Sequence, residues 1–399
     1  MPDDDVSTRI IGTRIQEIRA IRGLSLADLG RRAHVSAPQL SRIERGKRYA
    51  TPGIVASVAR ALGVPVSVLR GQPYVQQLQR EQLDALLTPV STALDSWDLP
   101  SDGEPPPRSL EELEADRKRI VSLRVRTAFA EIAEELPGLI VEAALLAQVH
   151  DSPGRDRERA YALQAEMART AAIISYRFGF LDLARLALSR MREVAPHSGD
   201  PRQVAIERYE RAHITHAESS RPDRGVALMR LALRDLDDDG DRATRAVRGT
   251  LQLRAAIMAA MQSDTSAHDW LGEAGELAEQ TGETNDYAMA FGPLNVSLNA
   301  MAVASNQDDH AGALDHASQV TLPKDYPPTR AAGFWIERAK SELWTAQHDS
   351  ALESLYRAKC VAPQLTRYHP SVHETVGTLL RARPTPSSRL REYAAWSGV

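Results

Sequence analysis

The sequence predicts an all-α protein: an N-terminal five-helix bundle, a linker helix and a C-terminal superhelix of helical hairpins. The chain has 399 residues, enough for two or three domains. Aromatic residues make up only 5% of it, and Ala, Leu and Arg dominate, which favours helix because unbranched side chains lose little rotamer freedom there. Apolar residues recur at helical spacings, and from Leu110 onward no strand-like alternation of useful length occurs.

Residues 8–71 predict the five-helix bundle. An isoleucine stripe at spacings of three and four begins at Ile11 and indicates one face of a helix that Gly23 ends. Ser25 caps the next helix, and after a short turn Ser36 caps another, which has Pro38 in its first turn, where a missing N–H is harmless. Two further helices follow before Gly71, the first of them opening at Thr51-Pro52.

Charge is distributed unevenly along the chain. Residues 9–71 carry 12 Arg and Lys against three acidic residues, whereas the rest carries 37 basic and 50 acidic residues. A basic module joined to an acidic body is typical of a protein in which one domain meets nucleic-acid phosphates and the other stays off them.

The linker is predicted at residues 72–109. Residues 73–97 form an amphipathic helix that Pro89 is expected to kink, and the following segment DLPSDGEPPPRS has too little apolar content to form a core. The repeat domain is then predicted at 110–381, and residues 382–399 are predicted to be a C-terminal tail.

Small-residue landmarks recur in the C-terminal region. Positions 184, 227, 271, 313 and 351 are separated by 43, 44, 42 and 38 residues. This period indicates tetratricopeptide-like helical hairpins, somewhat longer than the usual repeat of about 34 residues. Such hairpins stack into a superhelix with a concave face. From the net charge we expect an acidic, polar interior that suits a peptide or small molecule better than nucleic acid.

The segment 24–48, LSLADLGRRAHVSAPQLSRIERGKR, carries the most specific motif of the chain, above all LSRIERG at 40–46. It resembles the phage-repressor type of helix-turn-helix, the XRE family, over residues 9–71. The departure is Leu26, where the family usually has a Gln that holds a backbone phosphate, so that one contact is in doubt. The resemblance implies double-stranded DNA as a partner and a homodimer on two half-sites about one helical turn apart.

By the same resemblance, the helix after Ser36 is the recognition helix of the major groove. The base-facing positions are Ala37, Pro38, Gln39 and Arg42. Gln39 has the groups to bind adenine, and Arg42 those to bind guanine, in a bidentate manner. The residues expected at phosphates are Ser36, Ser41, Arg45, Lys47 and Arg48, with Arg14 and Arg19 assisting. Glu44 is expected to orient Arg side chains rather than to contact bases. The alternative for Arg42 is a solvated surface residue.

A second segment, NDYAMAFGPLNVSLN at 285–299, stands out within the repeats. It resembles a motif of regulators of GC-rich Gram-positive bacteria and, more distantly, the layout of peptide-pheromone receptors, in which Asn side chains hold a peptide backbone. Phe291, Asn295 and Asn299 are spaced by four, as on one helical face, and an Asn amide both donates and accepts. The alternative is that the Asn residues are buried hydrogen-bonding partners between hairpins and that Phe291 is core. Tyr287, Trp335 and Arg338 are further candidate ligand contacts.

Other chemistry finds no support in the sequence. The pairs His213/His216 and His369/His373 lack the further ligands that a zinc site needs, no phosphate-binding glycine loop occurs, and Cys360 is the only cysteine. We therefore expect no metal, no cofactor and no enzyme activity. The absence of a leader-like or roughly 20-residue apolar segment favours a cytoplasmic protein that does not contact the membrane.

Taken together, the sequence predicts a dimeric, sequence-specific DNA-binding transcription regulator whose repeat domain senses a peptide or small molecule. The dimer interface is expected in the repeat domain or in the helix of residues 73–97. The alternative is a DNA-localised scaffold whose repeats bind a partner protein.

Overall fold

A computed structural model describes residues 11–12, 15–16, 18–20, 22–45, 50–63, 66, 69, 73–99, 105–219, 221–382 and 386–399. Over these residues the protein is all-α, as predicted, and its one β-bridge is the isolated antiparallel pair of Thr284 and Phe291. The chain divides into two compact units, residues 1–83 and 84–399.

The N-terminal unit is built on the predicted helices. Its helices include α1 (Leu26–Ala33), α2 (Ala37–Glu44) and α3 (Pro52–Leu62), and the described residues between 11 and 20 are also helical. Ser25 caps α1 in a reciprocal capping box with Asp28, and the Thr51 hydroxyl caps α3. Six apolar residues of these helices and the turn between α1 and α2 are buried in one cluster: Leu29, Val35, Leu40, Ile43, Val55 and Leu62.

Helix α4 (Pro73–Asp95) follows, and the division into units at Leu83 falls inside it. It continues through Pro89, which is accommodated within the helix. The predicted apolar side is buried at Leu87, Val90 and Leu94. The domain limits predicted at 71, 109 and 381 stay predictions.

The second unit consists of consecutive helices that pack mainly against their neighbours in sequence. They are α5 (Leu110–Val125), α6 (Phe129–Val149), α7 (Arg155–Arg177), α8 (Leu181–Val194), α9 (Pro201–Ser219), α10 (Pro222–Asp235), α11 (Arg242–Ala260), α12 (Ser266–Thr281), α13 (Pro293–Asn306), α14 (His310–Ser318), α15 (Pro328–Trp344), α16 (His348–Val361), α17 (Pro363–Arg367), α18 (Pro370–Ala382) and α19 (Ser388–Ser397). The pairs α7/α8, α9/α10, α11/α12, α13/α14 and α15/α16 form hairpins. Helix α19 lies in the segment predicted as a tail, and its fully buried Tyr393 donates to the Leu355 carbonyl at 3.0 Å.

Buried small residues allow the helices of the hairpins to pack closely. Two of the predicted small-residue positions differ from those in the structure. Ala184, Ala313 and Ala351 are fully buried, and each is the fourth residue of the second helix in its hairpin. In α10 the fourth residue is Gly225, where a Cβ would lie 2.1 Å from Met258 Sδ, whereas the predicted Ala227 is exposed. In α12 the buried alanines are Ala267, Ala274 and Ala278, whereas Leu271 is partly buried.

None of the helices in the described part of the chain is long and apolar enough to span a membrane.

Candidate nucleic-acid interface and central cavity

The turn between α1 and α2 brings the two helices together at one glycine. His34 adopts the left-handed conformation at φ 53°, and the Val35 N–H donates to the Gly30 carbonyl at 3.0 Å. A Cβ on Gly30 would lie 2.6 Å from the Val35 carbonyl oxygen, so that a larger residue would force the turn open. This backbone fixes the angle at which α2 leaves the bundle.

Helix α2 has one buried and one outward face. Leu40 and Ile43 are fully buried, whereas Pro38 and Arg42 are exposed and Ala37 and Gln39 are half-buried. The side chains of Gln39 and Arg42 have no partner among the residues that the structure describes. The predicted base-facing residues therefore share an outward face on which Gln39 and Arg42 are free to bind.

The beginning of α2 also has an open backbone. Ser36 is exposed at the N-cap position, but its hydroxyl makes no capping bond, so it leaves the first N–H groups of α2 available to an anion. Ser41 is half-buried, and the exposed Arg45 is held by a bond from its Nε to the Ser41 carbonyl at 3.0 Å. Lys47 and Arg48 lie outside the described residues.

Glu44 orients an arginine, but not a neighbour in sequence. Its carboxylate, 8% exposed, accepts two hydrogen bonds from Arg19 at 2.7 and 2.9 Å, and Arg19 also donates to the Leu24 carbonyl at 2.8 Å. The hydrogen bond with Glu44 raises the pKa of Arg19 above its usual value. Arg19 therefore joins the described helical residues between 11 and 20 to α2, and the expectation that it assists at phosphates does not agree with this placement; Arg14 lies outside the described residues.

The second unit contains a cavity of about 440 Å³ that is partly open to solvent. Its walls come mainly from the first helices of successive hairpins, α7, α9, α11, α13 and α15, with Arg124 from α5 and Leu365 and His369 at one end. Ligand pockets in proteins typically have volumes of about 300–1,000 Å³. The cavity thus has the size and position of a small-ligand site within the stack of hairpins.

Two of the predicted ligand residues line this cavity. Asn295 is only 2% exposed, and its side chain has no hydrogen-bond partner in the described part of the chain. Asn299 is half-buried, and its Nδ2 donates to the Asn295 carbonyl at 2.7 Å. Phe291 does not share their helix, because Gly292 precedes the helix start at Pro293. Its ring is buried against Gly249, where a Cβ would lie 2.0 Å away, as the core alternative predicts.

The other three candidates lie outside the lining of the cavity. The Tyr287 hydroxyl donates to Asp200, and its backbone carbonyl accepts from Arg169 at 2.7 Å. Arg338 pairs with Glu342 at 2.9 Å, and its guanidinium lies 5.6 Å from the centre of the Trp335 ring. The residues of α15 that do line the cavity include Phe334 and Glu337, each one position earlier and hence about 100° around the helix.

Sequence reasoning missed a buried ion network beside the cavity. Arg124 pairs with Glu166 at 2.6 Å and donates to the Thr170 hydroxyl at 2.9 Å, while Arg169 pairs with Glu210 at 2.9 Å. All four charged residues are at most 9% exposed. The local sequence offered no distinguishing signal, because the helices that carry these residues also carry many other charged residues.

The lining of this cavity is mainly basic, whereas the net charge led us to expect an acidic interior. The cavity is lined by six basic residues, Arg124, Arg169, Arg177, Arg254, Arg330 and Lys340, and by two acidic ones, Glu210 and Glu337. Burial alone would raise the pKa of Tyr209, but the charges of Arg254 and Arg330 outweigh it and lower this pKa to about 8. The acidic excess lies elsewhere, because net charge does not locate individual charges.

Comparison with known proteins identifies the N-terminal unit. A family model described as a helix-turn-helix domain matches residues 10–70. No curated protein matches the chain. Among solved structures, Bacillus thuringiensis PlcR in complex with the peptide PapR7 and DNA is similar over 93% of this chain and 99% of that chain, at 13% identity and a TM-score of 0.32. A TM-score this low does not indicate a shared fold or a shared ligand.

Proposed function

We propose that this chain is a sequence-specific DNA-binding transcription regulator that binds DNA as a homodimer and senses a ligand in its second unit. The observation that carries the proposal is the outward face of α2 on a helix-turn-helix domain. That face presents Gln39 and Arg42 without competing partners among the described residues, in a segment with 12 basic and three acidic residues.

The chemistry of this face suits the major groove. An α-helix fits into that groove, and its first residues then face base edges. The Gln39 amide matches the donor and acceptor of adenine, and the Arg42 guanidinium matches the two acceptors of guanine. The open N-terminus of α2 at Ser36 and the basic residues Arg45, Lys47 and Arg48 are suited to adjacent phosphates.

Sensing is proposed to act through paired DNA-binding units. A ligand in the cavity of one chain changes DNA affinity only if it binds the DNA-competent arrangement and the other arrangement with different affinity. In a dimer on two half-sites, that difference is the spacing or freedom of the two helix-turn-helix units. The asymmetric charge of the chain keeps the second unit off the DNA.

The test is binding-site selection from random duplex DNA with the full chain and no partner protein. We expect wild type to enrich one motif with two related half-sites. Arg42→Ala removes a bidentate contact and should weaken the base preference at one position in each half-site. The discrimination against the other bases should fall by about 1–3 kcal/mol. Lys47→Ala should weaken binding to all sequences alike.

Arg60→Ala is the matched control, because Arg60 is exposed on α3 rather than on α2. It should select the same motif with the same sharpness as wild type. Enrichment of an unchanged motif by Arg42→Ala would refute the assignment of α2 to the groove. A requirement for a partner protein before any enrichment would favour the scaffold alternative instead.

A further inference from the structure

Three polar groups at the cavity have no hydrogen-bond partner within the described structure. They are the amide of Asn295, Nη2 of Arg124 and Nε of Arg254, and the last two atoms are fully buried. Buried polar groups in folded proteins are nearly always paired, and an exception calls for an explanation such as an absent ligand. The two arginine nitrogens can only donate, and the Asn295 amide can donate as well as accept, so the three groups together fit an acceptor-rich occupant.

The charges around the cavity point in the same direction. Arg124 and Arg169 are balanced by Glu166 and Glu210 in the buried network, and Lys340 lies 3.7 Å from Glu337. Arg177, Arg254 and Arg330 then remain, and none of them forms an ion pair with a carboxylate of the described chain. The low pKa of Tyr209 is a second sign of the positive potential that they create.

Apolar side chains complete the lining. Leu298, Met289 and Phe334 contribute to the wall, and so does Tyr176, beside whose ring Arg177 lies at 5.5 Å. An occupant held only by charge, such as inorganic phosphate, would leave this surface uncovered. A ligand with an apolar body and an anionic end satisfies both parts of the lining.

We propose that the cavity binds an organic anion whose acidic group lies between Arg254, Arg330 and Asn295 and whose apolar body contacts Leu298, Tyr176 and Phe334. A small carboxylic acid and the C-terminal carboxylate of a short peptide share this chemistry. The inference rests on the proposed sensing role of the second unit for its biological meaning, but its test measures ligand binding in the absence of DNA. Its failure would leave the DNA assignment intact.

The experiment uses two fluorescent probes with the same ring system on the full chain. 1-Anilinonaphthalene-8-sulfonate is an organic anion, and N-phenyl-1-naphthylamine is its neutral counterpart without the sulfonate. We expect one saturable site for the anionic probe and weaker binding of the neutral one. Octanoate should displace the anionic probe, whereas octylammonium, with the same chain length and the opposite charge, should not. A short apolar peptide with a free C-terminus, compared with its amidated form, separates the two sources.

Variants locate the site. Arg254→Gln should weaken the binding of the anionic probe by about tenfold, because the variant removes one charge-assisted hydrogen bond. The affinity for the neutral probe should stay unchanged. Asn295→Leu should act in the same direction. Arg338→Gln is the control, because Arg338 is on the same helix as Arg330 but outside the cavity lining.

Equal displacement by octanoate and octylammonium would overturn the proposal, and this comparison needs no variant to fold. The proposal would also be overturned if Arg254→Gln and Arg338→Gln lowered the affinity for the anionic probe equally.

Discussion

The packing of α2 in the N-terminal unit depends on contacts between residues that are far apart in sequence. Glu44 pairs with Arg19, 25 positions away, and this pair joins α2 to the helical residues between 11 and 20. Helical periodicity predicts the outward positions of Pro38 and Arg42 once Leu40 and Ile43 are assigned to the core, and the structure agrees, but it cannot predict this pair, because only the packing of two helices joins it. Gly12, where a Cβ would lie 2.1 Å from the Ile43 carbonyl oxygen, makes that packing close enough.

Glu44→Gln is predicted to destabilise the N-terminal unit. The change leaves the guanidinium of Arg19, whose side chain is 16% exposed, without its counter-charge. Breaking such a pair on one side costs about 3 kcal/mol, which chemical denaturation followed by circular dichroism measures. Arg31→Gln is the control, since its partner Asp28 is at the surface and the side chain is 75% exposed. A wild-type midpoint for Glu44→Gln would show that the pair contributes nothing.

The sequence predicts the helices and hairpins well, but it predicts less well how each helix is rotated about its own axis. The start of α13 at Pro293 could be predicted from Gly292-Pro293, yet the spacing of four suggested that Phe291 shared its helical face. Trp335 and Arg338 are candidate ligand contacts by sequence, but α15 is rotated so that Phe334 and Glu337 line the cavity instead. A rotation of this kind is decided by packing against both neighbouring helices, which local periodicity does not contain.

Small residues at the fourth position of the second helix of a hairpin are expected to let the two helices pack closely. Ala313→Leu should destabilise the second unit by about 1–3 kcal/mol, because the added atoms meet the packed cluster of Leu298, Met301 and Phe334. Ala311→Leu is the matched control in the same helix, where the side chain is exposed. Thermal unfolding monitored by circular dichroism distinguishes them. Equal melting temperatures for the two variants would show that hairpin closeness does not depend on this position.

For the whole molecule, composition predicts the opposition between a basic N-terminal unit and an acidic remainder, but not where the charges lie. The second unit has more acidic than basic residues, and yet its central cavity is lined by six basic side chains and two acidic ones. Net charge governs the long-range field that repels DNA phosphates, whereas buried arginines govern the local potential felt by a small ligand. The second unit is therefore expected to repel DNA by its net charge and yet to attract a small anion into its cavity.

The salt dependence of DNA affinity tests the central claim most directly. The full chain is titrated with the selected duplex and with a random duplex of equal length at salt concentrations between 50 and 200 mM. Over this range, a protein that contacts several phosphates loses roughly 10³–10⁵ in affinity. We expect the logarithm of each affinity to fall linearly with the logarithm of salt concentration, and the selected duplex to bind about 10³-fold or more tightly than the random one. Equal affinity for the two duplexes, or no binding to either at the lowest salt, would contradict the assignment of α2 to base edges.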